Sequence, residues 1–279
     1  MEVIYGVLEQ GLIYGLVGMA IFLTLRVIDF PDMGVNSTFT LGAAVWFCAT
    51  KMSCGPILSS VLAFFAGAIA GYITATLKLF FNIRSLLAGI ITMIALYSVN
   101  MRLMGRPNIP LMHIQTVFNT PNDTVRILIL CGIVVVCFIF LSWFFLSEIG
   151  LGIRVSGHNY MLGETYGVSK IFTVGAIVSL SNGIVALSGA LLGQLQGFID
   201  INMGTGVLIM GLVSVIIGEK ILSSTKIYVM IFMSIIGAIL YKVAVTLALF
   251  SSDLGLKSSD IYIITALMMV SMMIKKNNC

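Results

Sequence analysis

Long apolar runs with few charges recur along the whole chain, and that pattern leaves lipid as the only solvent in which it can fold. They fall near residues 4–28, 34–50, 56–79, 84–104, 125–147, 171–195, 204–221, 226–249 and 259–274. Most approach the roughly 20 residues that a helix needs to cross a bilayer. The runs are apolar on every face, whereas a barrel strand alternates apolar and polar residues. Helices also satisfy their own backbone hydrogen bonds in lipid. The expected fold class is therefore all-α: one polytopic transmembrane helical bundle over residues 1–279, with about nine spans.

Charged residues make up 9% of the chain and hydrophobic ones 59%, with a mean hydropathy of +1.11. A soluble domain carries roughly 25% charge, so water cannot solvate this surface. The net charge of +4 is spread along the chain. No basic run points to nucleic acid. The first basic residue, Arg26, follows the first apolar stretch, so that stretch is expected to be a retained span and not a cleaved signal. The cysteines, Cys48, Cys54, Cys131, Cys137 and Cys279, are odd in number and scattered, which fits neither a disulfide framework nor a metal site.

Positive charge orients the bundle. With the 147–170 connection inside, Arg26, Lys78, Arg84, Arg154, Lys170, Lys220, Lys226, Lys275 and Lys276 are inside too. Lys51, Arg102, Arg106, Arg126 and Lys257 then lie outside, with an outside N-terminus and an inside C-terminus. Glycines four apart, Gly11/Gly15, Gly67/Gly71 and Gly189/Gly193/Gly197, read as close helix packing.

No catalytic residues are expected. His113 and His158 fall in connections on opposite sides and form no metal pair or triad. Neither a nucleophile elbow nor a zinc motif appears. Gly218-Glu219-Lys220 lacks the glycine-rich lead and following hydroxyl of a phosphate loop, so ATP hydrolysis by this chain is not expected. Two places interrupt the apolar pattern. Arg26, Asp29, Pro31 and Asp32 break the chain between the first two runs, and the next run carries Asn36, Ser37, Thr38 and Thr40. Such a break reads either as a discontinuous helix offering polar groups to a solute or as a turn with Asp32 capping the next helix. Thr92, Tyr97, Asn100, Asn182 and Lys242 are further polar residues within apolar runs, where packing hydrogen bonds are the plain alternative. The second interruption, 147–170, contains a short glycine-bounded amphipathic stretch suited to docking on another protein.

At these residues the chain resembles the permease subunits of ABC importers of the branched-chain amino-acid and ribose type. Arg154, Gly157, Asn159, Gly167 and Val168 match the recurring positions of that family's coupling segment. Phe30-Pro31-Asp32-Met33, Leu41-Gly42-Ala43-Ala44, Leu86-Leu87-Ala88-Gly89, Tyr97-Ser98-Val99-Asn100 and Met104-Gly105-Arg106-Pro107 resemble the tryptophan/tyrosine-linked subgroup. Val155, Ser156, Glu164 and Thr165 depart from the alanines usual there, and Asn36-Ser37 from a more usual Asp-Gly.

The resemblance implies a single permease domain whose cytoplasmic coupling helix lies between spans five and six. It implies ATPase coupling at Arg154, Gly157, Asn159 and Gly167, and the same role is expected of Glu164 within that segment although it departs from the family. The polar residues Asp32, Asn36, Thr92, Tyr97 and Asn100, within or beside the apolar runs, are the expected lining of the translocation path. The resemblance further implies a separate ABC ATPase subunit that uses the ATP, an extracytoplasmic substrate-binding protein, and a second permease copy or a sister permease. The chain itself would bind no cofactor or metal, contact only lipid and protein, and sit in a bacterial inner membrane carrying a small solute, an amino acid by subgroup. A stand-alone ion-coupled secondary transporter using Asp29, Asp32 and Lys242 is the competing reading, and a membrane scaffold without a solute path is a third.

Overall fold

The computed structural model describes residues 2–112, 114–119, 122–165 and 167–250, and beyond them 265, 266 and 270. Among these residues the fold is all-α. In chain order it comprises α1 (Glu2–Phe22), which runs on into a π-helical turn (Leu23–Val27), then α2 (Val35–Lys51), α3 (Pro56–Phe80) and α4 (Ser85–Met104). After strand β1 (Asn108–Pro110) come α5 (Asp123–Leu146), α6 (Glu148–His158), α7 (Tyr160–Thr165) and α8 (Lys170–Gln196). Strand β2 (Phe198–Asp200), α9 (Val207–Ile221) and α10 (Ile227–Phe250) complete it.

Six helices among the described residues are long and apolar enough to cross a membrane: α1 with its π-helical turn, α3, α4, α5, α8 and α10. Two segments expected as spans give shorter helices. α2 has 17 residues, close to the expected 34–50, and α9 has 15, beginning at 207 and not 204. Irregular backbone precedes each, at 28–34 and at 201–206. The expected segment 259–274 lies outside the described residues apart from 265, 266 and 270, and so does His113.

The small β-ribbon was not legible as strand. Gly105 and Gly197 take left-handed conformations, φ 70° and 73°, and end α4 and α8. The extended backbone after each then pairs antiparallel, Ile109 opposite Ile199. Ile201 N–H extends the pairing to the Pro107 carbonyl at 2.8 Å.

The chain forms two compact units. In the unit of Met1–Met19, Asn122–Ser142 and Ile209–Cys279, α1 packs on α10. The space at Gly11 and Gly15 is taken by Ile239 and Ile235. Lys242 lies in α10 with its ammonium 5.6 Å from the Tyr14 ring centroid, so its charge meets a π-face inside the unit.

In the unit of Ala20–Pro121 and Trp143–Leu208, α8 is central, with α2 and α3 packed along it and α4 against α2 and α3. Contact there is backbone to backbone. Gly42 meets the Ala186 carbonyl, Gly67 the Asn182 carbonyl and Gly189 the Phe39 carbonyl, each with no room for a Cβ. In lipid no hydrophobic gain drives helices together, so such close approach and interhelical hydrogen bonds must. The Ser181 hydroxyl donates to the Ala20 carbonyl at 2.8 Å. Gly189→Leu or Gly67→Leu is expected to cost at least about 1–3 kcal/mol through overpacking. The measurement is the fraction of monodisperse protein left after heating in detergent. Gly132→Ala, where the added methyl meets open space, is expected to leave that fraction unchanged.

Candidate functional site

Two neighbouring polar constructions stand out in the α8-centred unit. The first is a cavity of about 530 Å³, within the size range of small-molecule sites. Its walls are the first two turns of α2 (Asn36, Ser37, Thr40), one face of α4 (Met93, Ile94, Tyr97, Ser98) and the turn after β2 (Ile201, Asn202, Gly204, Thr205). Helical periodicity explains the α2 and α4 walls, since residues four apart share a face. The turn is fixed to α2. Asn36 Oδ1 accepts from Leu208 N–H at 3.0 Å, Thr40 donates to the Ile201 carbonyl at 3.4 Å, and Gly204 abuts the Asn36 carbonyl. Among the described residues the lining holds hydroxyls, amides and apolar groups but no formal charge. Such a wall offers hydrogen bonds to a solute without an ion pair.

Of the residues expected along a path, Asn36 and Tyr97 line this cavity. The other three brace it from behind. Asn100 donates to the Ser37 carbonyl at 3.0 Å, and Ser37 in turn to the Met93 carbonyl at 2.9 Å. The Thr92 and Thr74 hydroxyls lie 2.9 Å apart, joining α4 to α3. Asp32 is 1% exposed. Its carboxyl accepts from the Asn182 amide at 2.7 Å and from Gly34 N–H at 2.8 Å. Burial pushes the Asp32 carboxyl above its ordinary value, and the Asn182 and Gly34 donors pull it back. Asp32 thus both turns the chain into α2 and ties that turn to α8, so the two readings of the break meet in one residue. Sequence reasoning missed Ser98, Asn202 and Thr205. The run Asp200-Ile201-Asn202-Met203-Gly204-Thr205-Gly206 is turn-rich, which was the available signal.

The second construction is a helical hairpin. The expected single short helix is two, α6 and α7, divided at Asn159, whose side chain accepts from Met161 N–H at 3.0 Å and so caps α7. Ser147 caps α6 and Ser169 caps α8. Gly167, at φ 79°, donates to the Glu164 carbonyl and reverses the chain after α7. Small residues close the hairpin. Gly163 meets Ser156, the Val168 side chain fills the space at Gly152, and Thr173 donates to the Ser156 hydroxyl at 3.1 Å. Gly157 meets the Val27 carbonyl. Arg154 is half-buried on α6, while Asn159 and Glu164 are exposed. Met161 is 81% exposed and Leu162 52%, so the tip of α7 presents apolar side chains flanked by Glu164. Burial raises the Tyr160 phenol above its usual value, and the nearby Asp29 carboxylate adds to that.

Removal of the Asp32 carboxyl leaves two buried donors short of an acceptor, which costs about 1–3 kcal/mol per unpaired group. Asp32→Ala is therefore expected to lower thermal stability in detergent by that order, and Asp32→Asn, which keeps one acceptor oxygen, by less. Equal losses would show that the pair with Asn182 contributes nothing.

Comparison with known proteins bears on what these constructions serve. The family model described as "Branched-chain amino acid transport system / permease component" matches residues 3–274. The tyrosine transport system permease protein of Clostridioides difficile (strain R20291) is 31% identical over 281 residues, covering 99% of this chain and 92% of the relative. An uncharacterised protein of Rickettsia prowazekii (strain Madrid E) is 31% identical over 256 residues, 89% of this chain and 90% of its own length. No solved structure matches. Nearly end-to-end agreement, joined to a multi-helix membrane fold, places the chain in the family of permease components of branched-chain amino-acid transport systems.

Proposed function

We propose that this chain is the membrane-spanning subunit of an ATP-binding-cassette importer, with residues 1–279 forming one permease domain in a bacterial inner membrane. On this reading the cavity at Asn36 and Tyr97 is part of the solute path. The α6–α7 hairpin is where a separate ATPase docks, through Arg154, Gly157, Asn159, Glu164 and Gly167. ATP is bound and hydrolysed by that partner. A substrate-binding protein delivers solute from outside, and a second permease copy or sister permease completes the path. The solute is a small molecule, an amino acid, in keeping with the tyrosine permease relative and with a cavity that carries hydrogen-bonding groups but no fixed charge.

The observation that carries the reading is the hairpin itself. A six-residue helix, capped at one end and reversed by glycine at the other, holds Met161 and Leu162 out to solvent. Exposed apolar groups on so short and so firmly braced an element suit insertion into a groove of another protein. ATP-driven closure of that partner would then move the hairpin as a rigid body.

Affinity purification of the tagged chain in mild detergent, followed by mass spectrometry, tests this. A stoichiometric soluble ATPase is the expected companion. Arg154→Ala combined with Gly157→Leu is expected to leave insertion intact and to remove both the ATPase and uptake. A monodisperse preparation without an ATPase, together with uptake that an uncoupler abolishes, would favour an ion-coupled transporter instead.

A further inference from the structure

The hairpin and the cavity are joined by the break between α1 and α2. We propose that residues 27–32 are a rigid bearing through which the α6–α7 hairpin acts on the cavity, with Lys78 and Phe30 as the positioning residues that hold it. The proposal rests on the reading of the hairpin as the ATPase-docking element.

The contact at the input end is hard. Gly157, at the end of α6, lies against the Val27 carbonyl with no room for a Cβ, and Ile28 Cα is 3.4 Å from where that Cβ would be. A displacement of α6 toward the break meets peptide backbone, which does not yield as a flexible side chain does. The break itself has little slack. Val27, Ile28 and Phe30 are buried, Phe30 completely. Phe30 N–H donates to the Thr24 carbonyl at 2.7 Å and closes the turn. Asp29 holds a left-handed φ of 45°, a conformation that persists in an L-residue only when its surroundings impose it.

A charged contact secures the same segment, and a second one braces the hairpin beside it. The Lys78 ammonium of α3 sits 4.6 Å from the Phe30 ring centroid, a cation–π contact strengthened by burial. Asp29 is close enough to act electrostatically on Lys78 and also on Tyr160 of the hairpin. The Lys170 ammonium, at the start of α8, covers the Tyr160 ring at 4.7 Å. The Asp29 carboxylate thus acts on both sides of the contact, on Lys78 beside the break and on Tyr160 of the hairpin.

The output end is equally firm. Asp32 is clamped to Asn182 of α8 and to Gly34 N–H, and Asn36, one turn on, lines the cavity. A push at Val27 thus arrives at Asn36 through a short, hydrogen-bonded stretch anchored by the buried Ile28, Phe30 and Asp32.

The test follows cavity access and needs no solute. In the ATPase-containing complex, with native cysteines replaced by serine, Thr205→Cys reports the cavity through its labelling rate with a membrane-impermeant maleimide. Wild-type positions 30 and 78 are expected to give at least a fivefold difference in rate between the nucleotide-free and the ATP/vanadate-trapped complex. Lys78→Met is expected to retain the ATPase and vanadate trapping yet to shrink that difference below twofold, and Lys78→Arg to restore it. Where Lys78→Met does not assemble, Phe30→Leu reads the same contact with apolar volume kept. A difference undiminished in the Met and Leu variants overturns the proposal, as does an Arg variant that behaves like Met. So does a labelling rate that nucleotide leaves unchanged in the parent complex. Failure of any ATPase to copurify strikes the docking assignment instead, and so is distinguishable.

Discussion

The close approach of α8 to its neighbours is the constraint on which the rest of the α8-centred unit depends. Lipid supplies no solvent-exclusion force between two apolar helices, so their association must come from van der Waals contact and hydrogen bonds at short range. Glycine on α2 and α3, and glycine and alanine on α8, let main chains touch at Gly42, Gly67 and Gly189. At that separation the few polar side chains of α8 reach partners on other elements. Asn182 reaches Asp32, Ser181 reaches Ala20, and Gln194 accepts from Val117 N–H at 3.1 Å and donates to Ser60. A wider spacing would leave each of these groups unpaired in a medium where that costs several kcal/mol.

The irregular backbone follows from the same logic. Unpaired peptide groups are tolerated at membrane depth only where protein covers them or a cavity admits water. Both short helices, α2 and α9, begin at such places, and the cavity lies where the first turns of α2 and the segment preceding α9 meet α4. Asn36 is the joint between them, since its side chain accepts from α9's first turn while its carbonyl receives Gly204. The polar wall is built by shortening two helices and filling the space with turns, without placing charge inside the bundle.

Much of this was legible in the sequence, for identifiable reasons. Apolar runs with no face left polar require membrane helices, and their positions recur in α1, α3, α4, α5, α8 and α10. Glycines four apart marked close helix contacts at Gly11/Gly15 and Gly67/Gly71 and at Gly189, whereas Gly193 meets only side chains and Gly197 ends α8 facing open space. The polar break at Asp29–Asp32 was visible because proline and carboxylates are costly among apolar residues. What escaped was tertiary. Thr92 and Asn100 share a helical repeat with Tyr97, but only packing decides that Tyr97 faces the cavity while the other two face α3 and α2. The turn at 201–206 carries Asn202 and Thr205 yet adjoins a long apolar run, and the expected span 204–221 took in its second half. The division of the hairpin at Asn159 depends on a side-chain cap, which spacing alone does not reveal.

A chamber without fixed charge has a kinetic consequence. Each neutral hydrogen bond exchanges with water at a net gain of only about 0.5–1.5 kcal/mol, whereas a buried ion pair would make a deep well that a guest leaves slowly. The wall formed by Asn36, Ser37, Thr40, Tyr97, Ser98, Asn202 and Thr205 therefore gives a shallow energy profile. On the proposed reading of the cavity as part of the solute path, an occupant would be held briefly and little discrimination made during its stay.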